Sequence, residues 1–174
     1  MNFIPGYSLR QGSTLDHALL VKFMQRTYQE QFPNRDFSHL ARTVEQYFCR
    51  DTPLWWVYED VRGQSPENSG ETFFPIACLW LGNAIDQVSG DRHPHIFLLY
   101  VIPEYRHRGI GKALMAYTED WATQKGYRQI GLQVFLANTP ALNLYHQSGY
   151  QEQSLWMVKS LELGKREQET RNSE

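Results

Sequence analysis

The sequence predicts a mixed α/β or α+β fold built around one sheet. Strand-like apolar runs alternate with longer stretches of helical periodicity, in the order β-α-α-β-β-β-α-β-α-β. The 174 residues, 41% of them hydrophobic, are enough to bury one compact core. No repeat or linker marks a second domain, so we expect one domain over residues 1–162. Residues 163–174 are polar and charged and are expected to form a disordered tail.

The first third of the chain predicts one strand and two helices. Residues 7–12 have strand character, Ser13 or Thr14 begins the helix that follows, and Pro33 ends it. A second helix is expected over residues 37–49, where apolar residues recur at helical spacing. The apolar face of the first helix carries Leu15, Leu19, Phe23 and Met24.

The middle of the chain predicts three strands. Residues 54–59 and 75–84 are rich in aromatic and branched side chains, and the polar residues 61–71 between them form a hairpin loop. Residues 95–102 are apolar on both faces, which is typical of a central, fully covered strand, and Pro103 ends this strand.

The last third of the chain predicts two helices and two strands. An amphipathic helix is expected over residues 110–125 and a strand over residues 128–135. Thr139 is expected to cap a short helix that runs to about residue 147, and residues 154–161 are expected to form the last strand. The apolar face of the helix over residues 110–125 consists of Ile110, Leu114, Tyr117 and Trp121.

Composition excludes several classes of function. A formal net charge of -2 gives no global basic field for nucleic acid. No apolar run approaches the roughly 20 residues of a membrane span, and no signal peptide is evident, so we expect a cytoplasmic protein. Cys49 and Cys78 fit neither a zinc spacing nor a disulfide framework. His93 and His95 lack a third ligand at a recognised spacing, so no metal is expected.

The stretch YRHRGIGKAL (residues 105–114) lies between a predicted strand and a predicted helix. Amides at the first turn of a helix favour an anion, and Gly109 and Gly111 allow its close approach. A pyrophosphate cradle and a solvated basic turn both fit these local features. The Rossmann and P-loop fingerprints do not fit, because their further glycine and Ser/Thr positions are not matched. Local positive charge comes from Arg106, Arg108 and Lys112.

Two motifs together carry a resemblance to a known family. The first is Arg106-x-x-Gly109-x-Gly111, directly after an apolar strand that ends V-x-P. The second is NTPALNLYHQSGY (138–150), which fits the pattern N-x-x-A-x-x-x-Y-x-x-x-G-[FY]. In this order and separation they resemble the acyl-CoA signatures of the GNAT superfamily of N-acetyltransferases. The resemblance implies a GNAT-like fold, with a central mixed, mostly antiparallel sheet flanked by helices.

The resemblance also implies a set of residues that hold acetyl-CoA. Arg106 either contacts the ligand or braces the loop, and Asn138 bonds the cofactor arm, caps a helix or does both. The pantetheine arm pairs with the main chain of the central strand at Leu99, Tyr100 and Val101. The pyrophosphate rests on the backbone amides of His107, Arg108, Gly109, Ile110, Gly111 and Lys112.

Catalytic roles follow from the same resemblance. Tyr145 matches the residue whose hydroxyl protonates the departing thiolate, and the alternative is a core aromatic side chain. Family members place a glutamate base at positions that correspond here to Gln133, which cannot act as a base, and to His95. His95 is therefore the candidate general base. Its alternatives are a polar contact to the substrate, a solvent-facing residue at the strand start, or ordered water as the base.

The expected function is an acetyl-CoA-dependent N-acetyltransferase that moves an acetyl group to a primary amine by direct attack in a ternary complex. The alternative is a catalytically silent acyl-CoA-binding module that regulates a partner. The acceptor is a small molecule or a protein, Glu30 or Asp36 could attract it, and dimers are common among such folds. Aromatic candidates for the acceptor site are Tyr28, Phe32, Trp55, Trp56, Tyr58, Trp80 and Trp156.

Overall fold

A computed structural model describes residues 3–60 and 74–161. In this part of the chain, five strands and four α-helices follow one another as β1 (Tyr7–Gln11), α1 (His17–Gln31), α2 (Leu40–Tyr47), β2 (Leu54–Glu59), β3 (Ala77–Ile85), β4 (Arg92–Val101), α3 (Ile110–Gln124), β5 (Gly131–Leu132) and α4 (Thr139–Gln147). The predicted hairpin loop over 61–71 and the predicted tail over 163–174 lie outside the described residues.

The sheet has the strand order β1-β2-β3-β4-β5. The first three pairings are antiparallel and the last, between β4 and β5, is parallel. The prediction of a mixed, mostly antiparallel sheet with flanking helices is therefore confirmed.

Each face of the sheet buries its own core. Helices α1 and α2 pack on one face, where Phe23 and Val44 contact Trp56 and its neighbours. Helix α3 packs on the other face, where Leu114 belongs to the cluster that includes Trp55. The two tryptophans are consecutive on β2 and therefore point to opposite faces of the sheet. Because both faces are covered, the central strands are apolar on both sides, as the sequence predicted.

The start of the first helix is confirmed at Ser13. The Leu15 N–H donates to Ser13 Oγ at 3.3 Å, and the Ser13 N–H donates to Asp16 Oδ2 at 2.7 Å, which together make a capping box. Thr14–Asp16 form a 3₁₀ turn before α1. This turn rotates Leu15 out of the apolar face, and its side chain is 92% exposed, so its predicted place in the core is wrong.

Helix α2 is shorter than the predicted range of 37–49. The backbone N–H and the hydroxyl of Ser38 both donate to the Asp36 carboxylate, at 2.9 and 2.8 Å, and this local turn competes with a helical conformation. Phe37 nevertheless remains buried and joins the core beneath α1.

Strand β4 begins at Arg92, earlier than predicted, because its ladder with β3 continues to the pair Ile85–Arg92. The register shifts by one residue between Trp80 and Leu81 of β3, and Phe97 of β4 has no partner opposite it. The ring of Phe97 lies directly over Gly82. A Cβ atom at Gly82 would approach the Phe97 ring to 2.0 Å, so only glycine fits there.

Strands β4 and β5 separate after only two pairs, His95–Gly131 and Ile96–Leu132. The predicted strand over 128–135 is therefore wrong in extent. Phe135 packs edge-on against Phe32, the residue that follows α1, with a ring separation of 5.4 Å, which directs the chain away from β4. Among the described residues, the edge of β4 beyond Ile96 consequently has no strand beside it on this side.

The C-terminal part of the described chain differs from prediction in two further ways. The cap of α4 is Asn138 instead of Thr139, since Asn138 Oδ1 accepts from the Ala141 N–H at 3.3 Å, which is one of the roles expected for Asn138. The predicted strand over 154–161 does not form, because β5 is too short to offer it a ladder. Its large apolar side chains are mostly exposed: Leu155, Trp156, Met157, Val158 and Leu161.

Replacement of Gly82 by alanine tests the bulge on β4. We expect G82A to lower the free energy of unfolding by about 1–3 kcal/mol, because the new methyl group overlaps the Phe97 ring. Urea denaturation measures this cost in the wild-type background and in an F97A background. The cost is expected to fall sharply when the ring is absent, and an equal cost in both backgrounds would contradict the contact.

Candidate active site

The glycine-rich loop follows β4 directly. Pro103–Tyr105 form a 3₁₀ turn that ends the strand, and the chain then reaches Gly109, the residue before α3, with a φ angle of 82°. This left-handed conformation favours glycine. A left-handed residue followed by a helical one turns neighbouring amides toward a common side, the geometry of an anion-binding nest. His107 is also left-handed, with a φ angle of 61°.

The first amides of α3 have no partners within the helix. The Ala113 N–H donates to the Gly109 carbonyl at 2.9 Å and is the first bond of the ladder, so the three preceding N–H groups lie outside it. They also lie at the positive end of the helix dipole. Gly111 has a different task from Gly109, because a Cβ atom there would approach Leu144 Cδ2 of α4 to 3.3 Å. Gly109 permits the turn, whereas Gly111 permits close packing of α3 on α4.

A cavity of about 570 Å³ opens beside this loop. Its walls come from β4, the glycine-rich loop, the C-terminal end of α1 and the N-terminal half of α4. The predicted site residues that line it are Leu99, Tyr100, Val101, Arg106, His107, Gly109, Ile110, Gly111, Lys112, Asn138 and Tyr145. Two other predicted residues, Arg108 and His95, are not among its lining residues.

Arg106 is held by two partners at the mouth of the cavity. Its Nε donates to the Val101 carbonyl at 2.8 Å, and its Nη2 donates to Glu30 Oε2 at 2.6 Å. The hydroxyl of Tyr100 donates to Glu30 Oε1 at 2.5 Å. Burial and the Glu30 carboxylate both raise the pKa of Tyr100 well above its usual value, so it remains a hydrogen-bond donor. The network connects α1 to the central strand and to the glycine-rich loop.

Arg108 points away from the cavity. Its guanidinium lies over the Tyr105 ring at 4.6 Å and donates to the Glu104 carbonyl at 2.9 Å and to the Tyr7 hydroxyl at 3.3 Å. Tyr105 in turn donates a hydrogen bond to Glu59. The Arg108 side chain therefore braces the loop against β1 and β2, and only its backbone remains available on the cavity side.

Tyr145 lies on α4 and lines the cavity opposite the β4 edge. Burial raises the pKa of its hydroxyl to about 12, so the group keeps its proton at neutral pH. The ring packs 6.0 Å from that of Tyr150, which forms part of the core on the α3 face. The side chain is thus both an aromatic core residue and a proton donor at the cavity wall.

His95 lies on the stretch of β4 that still pairs with β5. Its ring meets the Phe97 ring edge-on at 5.6 Å, on the face of the sheet covered by α1 and α2. Burial, followed by the neighbouring His93, lowers the pKa of His95 below its usual value. The imidazole is therefore neutral at pH 7 and able to accept a proton.

Sequence reasoning missed the contribution of α1 to the cavity. Thr27 and Gln31 line it at helical spacing, and Glu30 lies between them. The sequence suggests Glu30 only as an attraction for a cationic amine, whereas Arg106 and Tyr100 already donate hydrogen bonds to its carboxylate. The candidate acceptor residues Trp55, Trp56 and Trp80 belong instead to the buried cores, and Trp156 lies in the exposed segment after α4. No local pattern reveals contacts between residues 70 or 76 positions apart.

Among the described residues 3–60 and 74–161, no helix combines the length and apolarity that a membrane crossing requires. No group of three or more His, Cys, Asp or Glu side chains is arranged there to hold a metal ion.

Comparison with known sequences identifies the relatives of this chain. The sequence profile of the acetyltransferase (GNAT) family matches residues 21–150. An aminoglycoside N(6')-acetyltransferase type 1 of Salmonella typhimurium is 34% identical over 70 residues, covering 38% of this chain and 48% of the relative. A mycothiol acetyltransferase of Clavibacter sepedonicus is 30% identical over 100 residues, covering 52% of this chain and 33% of the relative. The matched region thus spans about half or less of each relative.

Solved structures share the fold. A protein of Clostridium acetobutylicum, described as a predicted acetyltransferase with acetyl-CoA, superimposes with a TM-score of 0.66 at 17% identity, covering 88% of this chain and 96% of its own. An aminoglycoside antibiotic 6'-N-acetyltransferase of Acinetobacter baumannii gives a TM-score of 0.61 at 20% identity, covering 91% of this chain and 100% of its own.

A double-mutant cycle tests the ion pair between Glu30 and Arg106. Their side chains are 36% and 39% exposed, so we expect E30Q and R106Q to show a coupling of only about 0.2–1 kcal/mol in urea denaturation. The coupling is expected to shrink as salt screens the charges. The pair His146–Glu152, whose side chains are 50% and 69% exposed, is the matched control and should show a smaller coupling. A coupling that is insensitive to salt would contradict a solvent-screened pair.

Proposed function

The chain belongs to the acetyltransferase (GNAT) family, and from this premise we propose that it transfers an acetyl group from acetyl-CoA to a primary amine in a ternary complex. One observation carries the proposal. A single cavity brings together the free amides of the glycine-rich loop, an open strand edge on β4 and the protonated hydroxyl of Tyr145. Several relatives are named for aminoglycoside acceptors, and such amines fall within the proposed class.

The chemistry of the cavity wall supports acetyl-CoA as the ligand. A pyrophosphate needs hydrogen-bond donors that are already free, and the amides of residues 107–112 meet this need at the start of α3. The open edge of β4 at residues 99–101 offers main-chain groups to the amide-containing arm, in the manner of an added strand. The amide nitrogen of Asn138 remains available while its oxygen caps α4. A volume of about 570 Å³ is within the usual range of ligand sites.

The proposed reaction forms one bond and breaks one. The amine nitrogen bonds to the thioester carbonyl carbon, and the carbon–sulfur bond breaks. The nitrogen loses one proton and the sulfur gains one, so the transfer is balanced without a further reactant. Tyr145 supplies the proton to the departing sulfur and recovers one through solvent. An amine that arrives as ammonium must first lose another proton, and His95 is the residue proposed to accept it, directly or through water.

Ligand-dependent stability and thiol release together test the proposed function. We expect acetyl-CoA to raise the melting temperature and thiol to appear when primary amines are added. The G109A variant should lose most of this ligand stabilisation. G90A is its matched control, because Gly90 has a φ angle of 77° and equally open surroundings but lies in a turn remote from the cavity. Stabilisation without thiol release for any amine would contradict an enzyme, and no stabilisation would contradict the cofactor assignment.

Substitution of Tyr145 by phenylalanine tests the acid. The ring and its packing remain, but the proton donor is lost, so we expect kcat to fall by about 10²-fold. The KM for acetyl-CoA should change by no more than about twofold, since the hydroxyl acts in the transition state. Steady-state thiol release measures both constants. Y150F is the matched control, because it removes a neighbouring core hydroxyl without touching the cavity. Equal losses in the two variants would contradict a catalytic role for Tyr145.

Substitution of His95 by glutamine tests the base. Protonation of His95 removes its ability to accept a proton, and its pKa is lowered, so the wild-type kcat/KM for the amine should decline more steeply below a pH that lies under 6.5. H95Q is expected to lower kcat by about 10²-fold or more and to abolish that steeper limb. Only the slope caused by ionisation of the amine itself should remain. A pH profile identical to that of the wild type would eliminate His95 as the base.

A further inference from the structure

Four aromatic side chains form a cluster beside the cavity, which we call the aromatic rim: Tyr28, Phe32, Phe37 and Phe135. The Phe135 ring meets Tyr28 and Phe32 edge-on, at 6.2 and 5.4 Å. Tyr28 also packs against Phe37 at 5.6 Å. The rim therefore connects α1 and the turn before α2 to the chain that leads into α4.

The aromatic rim borders the wall of the cavity. Thr27 and Gln31, which line the cavity, are each followed directly in the chain by a residue of the rim, Tyr28 and Phe32. On the other side, the Asn138 N–H donates to the Phe135 carbonyl at 2.9 Å, and Asn138 lines the cavity as well. The Phe135 side chain is 46% exposed, so a ligand that enters beside Asn138 can reach the ring.

The charges around the aromatic rim are unsuited to a polycation. In the stretch from Glu30 to Phe37, the Glu30 carboxylate is ion-paired with Arg106, whereas Asp36 accepts hydrogen bonds from the uncharged Ser38, which leaves its negative charge in place. The segment 133–138 (QVFLAN) contains no charged residue. The Arg35 guanidinium lies 5.5 Å from the centre of the Phe32 ring. A ligand with several ammonium groups would therefore meet rings, a guanidinium and a single carboxylate without a cationic partner.

A second group of rings surrounds the candidate base on the same face of the sheet. His95 packs edge-on against Phe97, and Phe97 packs against Tyr47 of α2 at 5.7 Å. The Tyr47 side chain is 47% exposed. An amine that approaches His95 from the side of α1 and α2 thus passes a largely aromatic surface.

We propose that the acceptor is a primary amine with a single positive charge on an aromatic or apolar frame, recognised by the aromatic rim, and not a polycationic amine. The inference rests on the proposed acetyl transfer and adds the chemical class of the acceptor. Aromatic faces and edges stack on an aryl frame, while one ammonium group can lose its proton to become the nucleophile. A polycation would have to give up the hydration of several charges with only the Asp36 carboxylate to pair with.

Three amines of different chemistry test the proposal: 2-phenylethylamine, ethanolamine and kanamycin. Thiol release at saturating acetyl-CoA gives kcat/KM for each, and calorimetry gives the affinity of each for the CoA-loaded protein. We expect 2-phenylethylamine to exceed the other two by about tenfold or more in both measurements. A kcat/KM and an affinity for kanamycin that equal or exceed those for 2-phenylethylamine would overturn the inference.

Variants connect the preference to the aromatic rim. F135A is expected to lower kcat/KM for 2-phenylethylamine roughly tenfold, and F135L to lower it less, because leucine keeps part of the apolar contact. L136A is the matched control, since Leu136 is the next residue, is 78% exposed and belongs to no ring pair. R35E places a carboxylate at the rim and should raise kcat/KM for kanamycin severalfold without raising kcat/KM for 2-phenylethylamine. If F135A and L136A behave alike, the rim does not select the acceptor.

The outcomes separate this inference from the function on which it rests. Thiol release that does not favour the aryl amine leaves acetyl transfer intact and overturns the acceptor class. Preferential binding of the aryl amine without thiol release supports the acceptor class and overturns the transfer reaction. Neither binding nor turnover of any amine overturns both. Thermal denaturation of each variant ensures that a loss of activity is not a loss of fold.

Discussion

The separation of β5 from β4 after Ile96 and Leu132 is the constraint on which the rest of the site depends. A continuous parallel ladder would use the main-chain groups of residues 99–101, and the cavity beside them could not exist. Aromatic packing maintains the separation on one side, because Phe135 contacts α1 instead of extending β5. The bulge on β4 lies directly after Ile96, the last residue that pairs with β5, and Phe97 there occupies the space that Gly82 leaves open. Small local features thus create a strand edge inside a covered sheet.

The glycine-rich loop divides its tasks between backbone and side chains. Its two arginines are held by protein partners, Arg106 by Val101 and Glu30, and Arg108 by Glu104 and Tyr7. They fix the shape of the loop and do not point free charges into the cavity. The amides at the start of α3 remain without intrahelical partners, so the anion-binding capacity lies in the main chain. This division explains how a chain with a net charge of -2 can present a site suited to a pyrophosphate.

The sequence predicted the elements that carry the site better than it predicted their pairing. Two motifs located the loop and α4, because glycine at Gly109 and the cap before Ala141 are local requirements. Strand propensity over 128–135 and 154–161 did not become ladders, since pairing depends on partners elsewhere in the chain. The ion pair between Glu30 and Arg106 of the loop could not be predicted either, because it joins residues 76 positions apart. The role of His95 as a base stays a prediction, and its ring lies outside the cavity lining.

Amide chemical shifts test the central claim most directly, because the account assigns the anion to backbone N–H groups. In a nitrogen-15 NMR titration with CoA, the amides of Gly109, Ile110, Gly111 and Lys112 should shift most, since they lie at the start of α3 outside its ladder. The amide of Gly90, in a remote turn of similar backbone conformation, should remain unchanged. Saturable shifts confined to the loop, β4 and α4 are the predicted result. Binding that leaves the loop amides unshifted would contradict the account.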